Sequence, residues 1–410
     1  MEWSANVTTP PYNPGRGGGE GTCERSTQWR GRPHPTVVCA KPLDTRRRTS
    51  ARMPVLRRLA AAALRLAAAS FALPADLSPA RSSASGGCGK APGVALDTRI
   101  AASLPSGRTY LYWVPPSYDP RTPAPLILSF HGATKTPAAQ ADLDLLTTPF
   151  FHRAGAIVAY PSSGAYGANG TGRYWQGAPH VPADVDDVGF ALDVLDALSA
   201  RLCVDAERVY ATGKSQGGLM ANNLACDPRS SARLAAFAPV SGSYYVNVTG
   251  AACAPTSLAF DCHPARAHVP LLIFHGGADQ TINFTGGAHN GECVPDIPHF
   301  VEAWAVRDGL GGARVREAPL GGAGDNATLY RYGAGALEDL VAFVYDGDHV
   351  NHQWPATIAN ADSIEYSSPP ATFNASSMIM DFFGRYTLSG RVNGTGHSSL
   401  WGGKGLRKQS

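Results

Sequence analysis

The segment Glu207-Arg208-Val209-Tyr210-Ala211-Thr212-Gly213-Lys214-Ser215-Gln216-Gly217-Gly218-Leu219-Met220-Ala221-Asn222-Asn223-Leu224-Ala225 decides the reading of this chain. Its first six residues predict a short buried strand and its last seven predict a helix. Between them, Gly213-Lys214-Ser215-Gln216-Gly217 forms the corner. A Gly-x-Ser-x-Gly turn from strand to helix is so tight that its flanking positions must be small, and it projects the serine hydroxyl from the end of a sheet. The bare pattern is common; the strand–turn–helix context makes Ser215 a candidate nucleophile.

Outward from this corner the chain alternates strands and helices, which predicts an α/β domain with a mostly parallel central sheet, the α/β-hydrolase arrangement. Strands are expected at 108–115, 125–132, 156–161, 235–241, 270–276, 327–332 and 340–345. Helices are expected at 137–151, 185–202, 298–307 and 378–386. The apolar run in 125–132 is nearly continuous, as in a central parallel strand. The sequence shows no internal repeat and no linker to a second module.

A serine hydroxyl needs a base to take its proton, and the base needs an acid to hold it. In this architecture the acid and histidine follow the serine in that order, each on a loop at a strand end. Leu271 to Asp279 is an apolar strand that breaks at Gly276-Gly277 and presents Asp279, the expected acid. After the strand ending at Tyr345 come His349 and His352. His352, in His352-Gln353-Trp354-Pro355, is preferred because Trp354 and Pro355 would stiffen its loop, and His349 stays open as the alternative. Two N–H donors are needed for the oxyanion. One is expected from Gln216 and the other from the loop Phe130-His131-Gly132-Ala133-Thr134, with Thr134 favoured and Ala133 next. Tyr174 and Trp175, in a Gly-rich loop, are expected to line a cleft for a flat aromatic acyl group. Asp184, Asp186 and Asp187 open a helix and need no more than a structural account. This chemistry asks for no metal or organic cofactor.

The ends read differently. Residues 1–52 mix Gly, Pro and Arg without periodicity, and are expected to be disordered or a spurious extension. Residues 53–84 have the layout of a secretory signal peptide: Arg57-Arg58, an Ala/Leu-rich run from Leu59 to Leu73, then small residues. That run is too short and too interrupted to span a bilayer. The catalytic domain is expected over 85–388, followed by a loose tail at 389–410. The formal charge of +3 comes from the ends: residues 1–52 contribute +5 and 53–84 contribute +3, leaving −5 beyond Ala84. No basic footprint for nucleic acid remains. Six cysteines follow the leader, Cys88, Cys203, Cys226, Cys253, Cys262 and Cys293, and predict three disulfides in an oxidising compartment. A strand running up and a helix running back suggest Cys203–Cys226 as one pair. Asn-x-Ser/Thr sequons at Asn6, Asn169, Asn247, Asn283, Asn326, Asn374 and Asn393 fit a secreted glycoprotein.

A family resemblance rests on several motifs in order: Gly87-Cys88-Gly89-Lys90, Asp187-Val188-Gly189-Phe190, Leu202-Cys203-Val204-Asp205, Val209 through Gly218, His275 through Asp279, and His352-Gln353-Trp354-Pro355. The set resembles the secreted fungal feruloyl esterases of carbohydrate esterase family 1, and more loosely the polyhydroxybutyrate depolymerase-like esterases. The resemblance implies hydrolysis of ferulate and related hydroxycinnamate esters on arabinoxylan, with Ser215, Asp279 and His352 as triad. In the histidine loop some relatives carry Gly-Gly-His where this chain has Asp348-His349. Acetylxylan esterase, polyester depolymerase and tannase-like activities would use the same triad. A non-catalytic glycan-binding relative is the alternative from another class.

Overall fold

The computed structural model describes residues 83–166, 170–311, 314, 316–320 and 327–391. The expected N-terminal extension, most of the expected leader, most of the expected tail and the sequons at Asn6, Asn169, Asn326 and Asn393 lie outside the described residues.

The strands are β1 (Arg99–Ser103), β2 (Thr109–Trp113), β3 (Ala124–Phe130), β4 (Ile157–Pro161), β5 (Gly164–Tyr166), β6 (Gly172–Tyr174), β7 (Val204–Lys214), β8 (Ala236–Val240), β9 (Leu271–His275), β10 (Gly287–His289), β11 (Glu292–Val294), β12 (Arg316–Pro319), β13 (Thr328–Tyr332), β14 (Val341–Tyr345), β15 (Tyr386–Thr387) and β16 (Gly390–Arg391). The α-helices are α1 (Pro137–Asp144), α2 (Asp187–Arg201), α3 (Gln216–Cys226), α4 (Pro228–Ser231), α5 (Ile297–Arg307), α6 (Ala361–Glu365) and α7 (Ala375–Phe383). Among the described residues, ten strands form one sheet in the order β1-β2-β4-β3-β7-β8-β9-β14-β13-β12. The central pairs from β4 to β14 are parallel, and the outer pairs at both edges are antiparallel. This is the α/β-hydrolase fold.

Both faces of the sheet are covered, which is why its central strands are apolar without interruption. In β3, Leu126, Leu128 and Phe130 point into the core shared with α2, α3 and α5, while Ile127 points into the core shared with α1 and α7. The first expected helix is shorter than its pattern: α1 stops at Asp144 because Leu145 turns into the left-handed region at φ 57°.

The chain entering the domain is tied to β7. Ala84 bridges Asp205, and the Ala206 and Ser85 N–H groups donate to the carbonyls of Ser83 and Val204. The leader boundary expected at Ala84 therefore falls inside this pairing. At the other end β15 and β16 pair with each other, so ordered pairing runs past the expected limit at 388.

Three disulfides occur, Cys88–Cys203, Cys226–Cys262 and Cys253–Cys293. The expected Cys203–Cys226 pairing is wrong, and the reason is rise per residue. Both β7 and α3 have 11 residues. The strand advances about 36 Å and the helix returns only about 16 Å, so Cys226 stops well short of Cys203. Cys203 instead meets the incoming segment, whose Gly87 N–H donates to Ser199 O at 2.8 Å. Cys226 meets the segment where the His263 N–H donates to its carbonyl at 3.0 Å.

Candidate active site

Ser215 sits between β7 and α3 with φ 57° and ψ −117°. Such a backbone conformation costs about 1–3 kcal/mol in a non-glycine residue and is kept where the surroundings enforce it. The surroundings here are visible at Gly217: a Cβ there would run into the carbonyl of Phe130 at the end of β3. The motif glycine is thus required by close backbone approach. The hydroxyl-bearing residue is left at the C-terminal edge of the sheet, with Ser215 only 8% exposed.

Asp279 follows β9. Its Oδ1 accepts from the N–H groups of Thr281 and Ile282 at 2.9 and 2.7 Å. Its Oδ2 accepts from Nδ1 of His352 at 2.7 Å and faces Nε2 of His275 at 3.3 Å. All three side chains are buried. Burial acts to raise the Asp279 carboxyl, but the charge and hydrogen bond of His352, the charge of His275 and the Ile282 N–H outweigh it and hold it below the usual carboxylate range. His352 is also shifted down, by burial first and then by the positive charge of Lys214, against the pull of Asp279. A neutral imidazole donating Nδ1–H to an ionised carboxylate satisfies both directions, and it leaves Nε2 able to accept a proton.

His349, the alternative base, is exposed and makes none of these contacts among the described residues. The acid and histidine loops are laced together by backbone: Gly277 N–H donates to Gly347 O and Ala278 N–H to Val350 O, each at 3.0 Å. A Cβ at Gly276 would collide with the Val350 carbonyl, which accounts for the glycine after His275. The Gln280 N–H adds a bond to Asn351 Oδ1 at 2.9 Å. Among the described residues no hydrogen bond joins the Ser215 hydroxyl to His352; such bonds often tighten only when substrate is present. The serine and histidine sides are linked instead through Ser241, whose Oγ donates to Gln353 O at 3.1 Å.

The oxyanion loop requires a correction. Thr134, at φ 62°, spends its N–H on the carbonyl of Arg173 at 2.7 Å. Its neighbour Ala133 donates to no acceptor among the described residues, so Ala133 is the better placed donor. Gln216 opens α3, where the N–H has no intrahelical acceptor. Trp175 also departs from expectation. It is fully buried rather than lining a cleft, and its indole Nε1 donates to His131 O at 2.8 Å while its ring lies edge-on to Phe130. It braces the loop that carries Ala133. Tyr174, half-buried in β6, remains nearer the surface. Asp187 does more than start a helix: it is buried, pairs with Arg108 at 2.8 Å and accepts from the Gln176 N–H at 2.8 Å, fixing the segment after Trp175.

Sequence reasoning gave no role to His275, Lys214 and Asp362, and took His131 only as part of the oxyanion loop. His131 is buried and its imidazole is pushed down to about 4 by burial, so it is neutral. Its Nδ1 faces the Gly132 carbonyl at 2.8 Å and its Nε2 accepts from the Ser163 N–H at 3.2 Å, a pattern that only one neutral tautomer satisfies. A charged or imidazole residue closing a central strand, as at His275 and Lys214, was the available signal.

Compared with known proteins, no family model matches the chain. It is 28% identical over 234 residues to feruloyl esterase B of Piromyces equi, covering 55% of this chain and 39% of that protein. It is 26% identical over 288 residues to feruloyl esterase D of Neurospora crassa, covering 68% of this chain and 85% of that protein. The chain resembles the fungal feruloyl esterases. Its span is well under half the length of the Piromyces protein and most of the Neurospora one. Among solved structures, an acetyl xylan esterase from Aspergillus awamori aligns with a TM-score of 0.45 at 18% identity, over 66% of this chain and 98% of that one.

Proposed function

We propose that this chain is a secreted serine esterase that hydrolyses feruloyl and related hydroxycinnamoyl esters of plant cell-wall polysaccharide, with feruloylated arabinoxylan or its oligosaccharides as substrate. The observation that carries the proposal is the buried His352–Asp279 hydrogen bond at the same sheet edge as the strained Ser215. The similarity to feruloyl esterases supports the acyl class, and the three disulfides fit an extracellular setting.

In this reading Ser215 Oγ attacks the ester carbonyl carbon while its proton passes to Nε2 of His352. Asp279 holds the imidazole and stabilises the imidazolium that forms. The N–H groups of Gln216 and Ala133 take the oxyanion. His352 then gives its proton to the departing sugar oxygen, leaving the feruloyl group on Ser215. Water, deprotonated by His352, releases the acid and restores the hydroxyl. We assign the segment before Ser83 to an export leader and extension outside this machinery.

The test is turnover of methyl ferulate, acetylated xylan and a hydroxybutyrate oligomer by the wild type and by Ser215→Ala. Methyl ferulate should be the preferred substrate, and Ser215→Ala should be folded and inactive. Activity retained in that folded variant would refute the assignment.

A further inference from the structure

We propose that Lys214 and Asp362 form a buried charged brace that holds the His352 loop against the nucleophile elbow, making both positioning residues for the base. Lys214 is the residue before Ser215, yet its side chain points inward and is 4% exposed; Asp362, in α6, is 5% exposed. Their Nζ and Oδ2 atoms lie 3.3 Å apart. The same Oδ2 accepts the Trp354 N–H at 2.9 Å, two residues beyond His352. Tyr366 completes the brace: Lys214 Nζ lies 4.7 Å from its ring centre, and the His352 ring meets it edge-on at 5.3 Å. One carboxylate therefore binds a group from the serine side and a group from the histidine side.

A buried ion pair is rarely kept for stability alone, because desolvation offsets most of its attraction. Its location here gives it a second consequence. The groups facing His352 are Asp279 and His275 from the end of β9, Lys214 from β7, and Glu365 and Tyr366 from the end of α6, with Asp362 paired to Lys214 behind them. Asp346 faces Asp279 from the end of β14. Of these Lys214 is the cation; burial pushes its own ionisation down while Asp362 supports the charge. In its charged form it disfavours the imidazolium, so it extends the neutral form of His352 toward lower pH.

The brace serves the esterase reading above, and its test separates the two. In a Ser215→Ala background, the ring titration of His352 is followed by NMR with and without Lys214→Met. The added substitution should raise the titration midpoint by about 0.5–1 pH unit. In the active enzyme Lys214→Met should move the acidic limb of kcat/KM for methyl ferulate upward in parallel, with KM within about twofold of wild type. Asp362→Ala, which also removes the Trp354 acceptor, should lower kcat about tenfold at unchanged KM, and Asp362→Asn should recover most of it. Lys214→Gln, which can still donate to Asp362, replaces Lys214→Met if that variant does not fold. An unmoved titration in a folded Lys214 variant overturns the brace, and so does full kcat in Asp362→Ala. A wild type inert to methyl ferulate and to a fluorophosphonate probe overturns the esterase reading instead, while the ring titration still judges the brace.

Discussion

Asp279 Oδ2 and His352 Nδ1 are 2.7 Å apart although 73 positions separate them in the chain. The contact is buried, and both loops that carry it leave neighbouring parallel strands, β9 and β14. Replacing Asp279 by Asn keeps the shape but offers the imidazole a donor or a weaker acceptor, favouring the wrong tautomer. Asp279→Asn should lower kcat for methyl ferulate by about 10³- to 10⁴-fold with the fold intact, measured by steady-state kinetics beside circular dichroism.

In the proposed reaction His352 acts as a neutral base, so kcat/KM should rise with pH as the imidazolium loses its proton. Burial and Lys214 depress that ionisation below the ordinary histidine value of 6.5. The acidic limb of the pH–rate profile should therefore lie below 6.5. A limb above the ordinary histidine range would contradict the assigned environment.

Trp175 should behave as a brace and not as a substrate contact. Trp175→Phe removes the donor to the His131 carbonyl and leaves that acceptor buried. A stability loss of about 1–3 kcal/mol in chemical denaturation is expected. The kcat should fall through a loosened Ala133, while KM for methyl ferulate stays close to wild type.

Gly217→Ala should be among the most disruptive single changes in the domain. The added methyl would occupy the space of the Phe130 carbonyl, which belongs to a fully buried strand and cannot give way. A loss above about 4 kcal/mol is expected, seen as failure to accumulate folded protein.

Removing Cys226–Cys262 by paired serine substitution opens a loop with a sequence separation of 36. Chain entropy predicts a loss of about 3–4 kcal/mol, read as a lowered Tm with little change in KM.

Much of this arrangement is legible in the residues themselves, because the decisive signals are local. Ser215 stands in a strand–turn–helix that neighbours in sequence create, and Asp279 lies just past an apolar strand. The strand ending at Tyr345 narrowed the histidine to two candidates, and the loop chemistry around Trp354 favoured His352. What escaped depends on distant partners. Thr134 looked a better donor than Ala133, but Arg173, on another segment, accepts its N–H. Trp175 stands beside glycines that suggest a surface loop, but Phe130 and His131 bury it. The disulfide error came from judging direction without length. The edge strands β1 and β12 were missed because strands covered on one side carry too few apolar residues to stand out.

The lacing of Gly277 to Gly347 and of Ala278 to Val350 gives two loops the mechanical character of a single part. Sequence variation introduced to reshape substrate preference would disturb proton handling if placed in either of them. Among the described residues, β5 and β6 carry no such cross-links to that pair, and that hairpin is where a library aimed at new acyl groups should be concentrated.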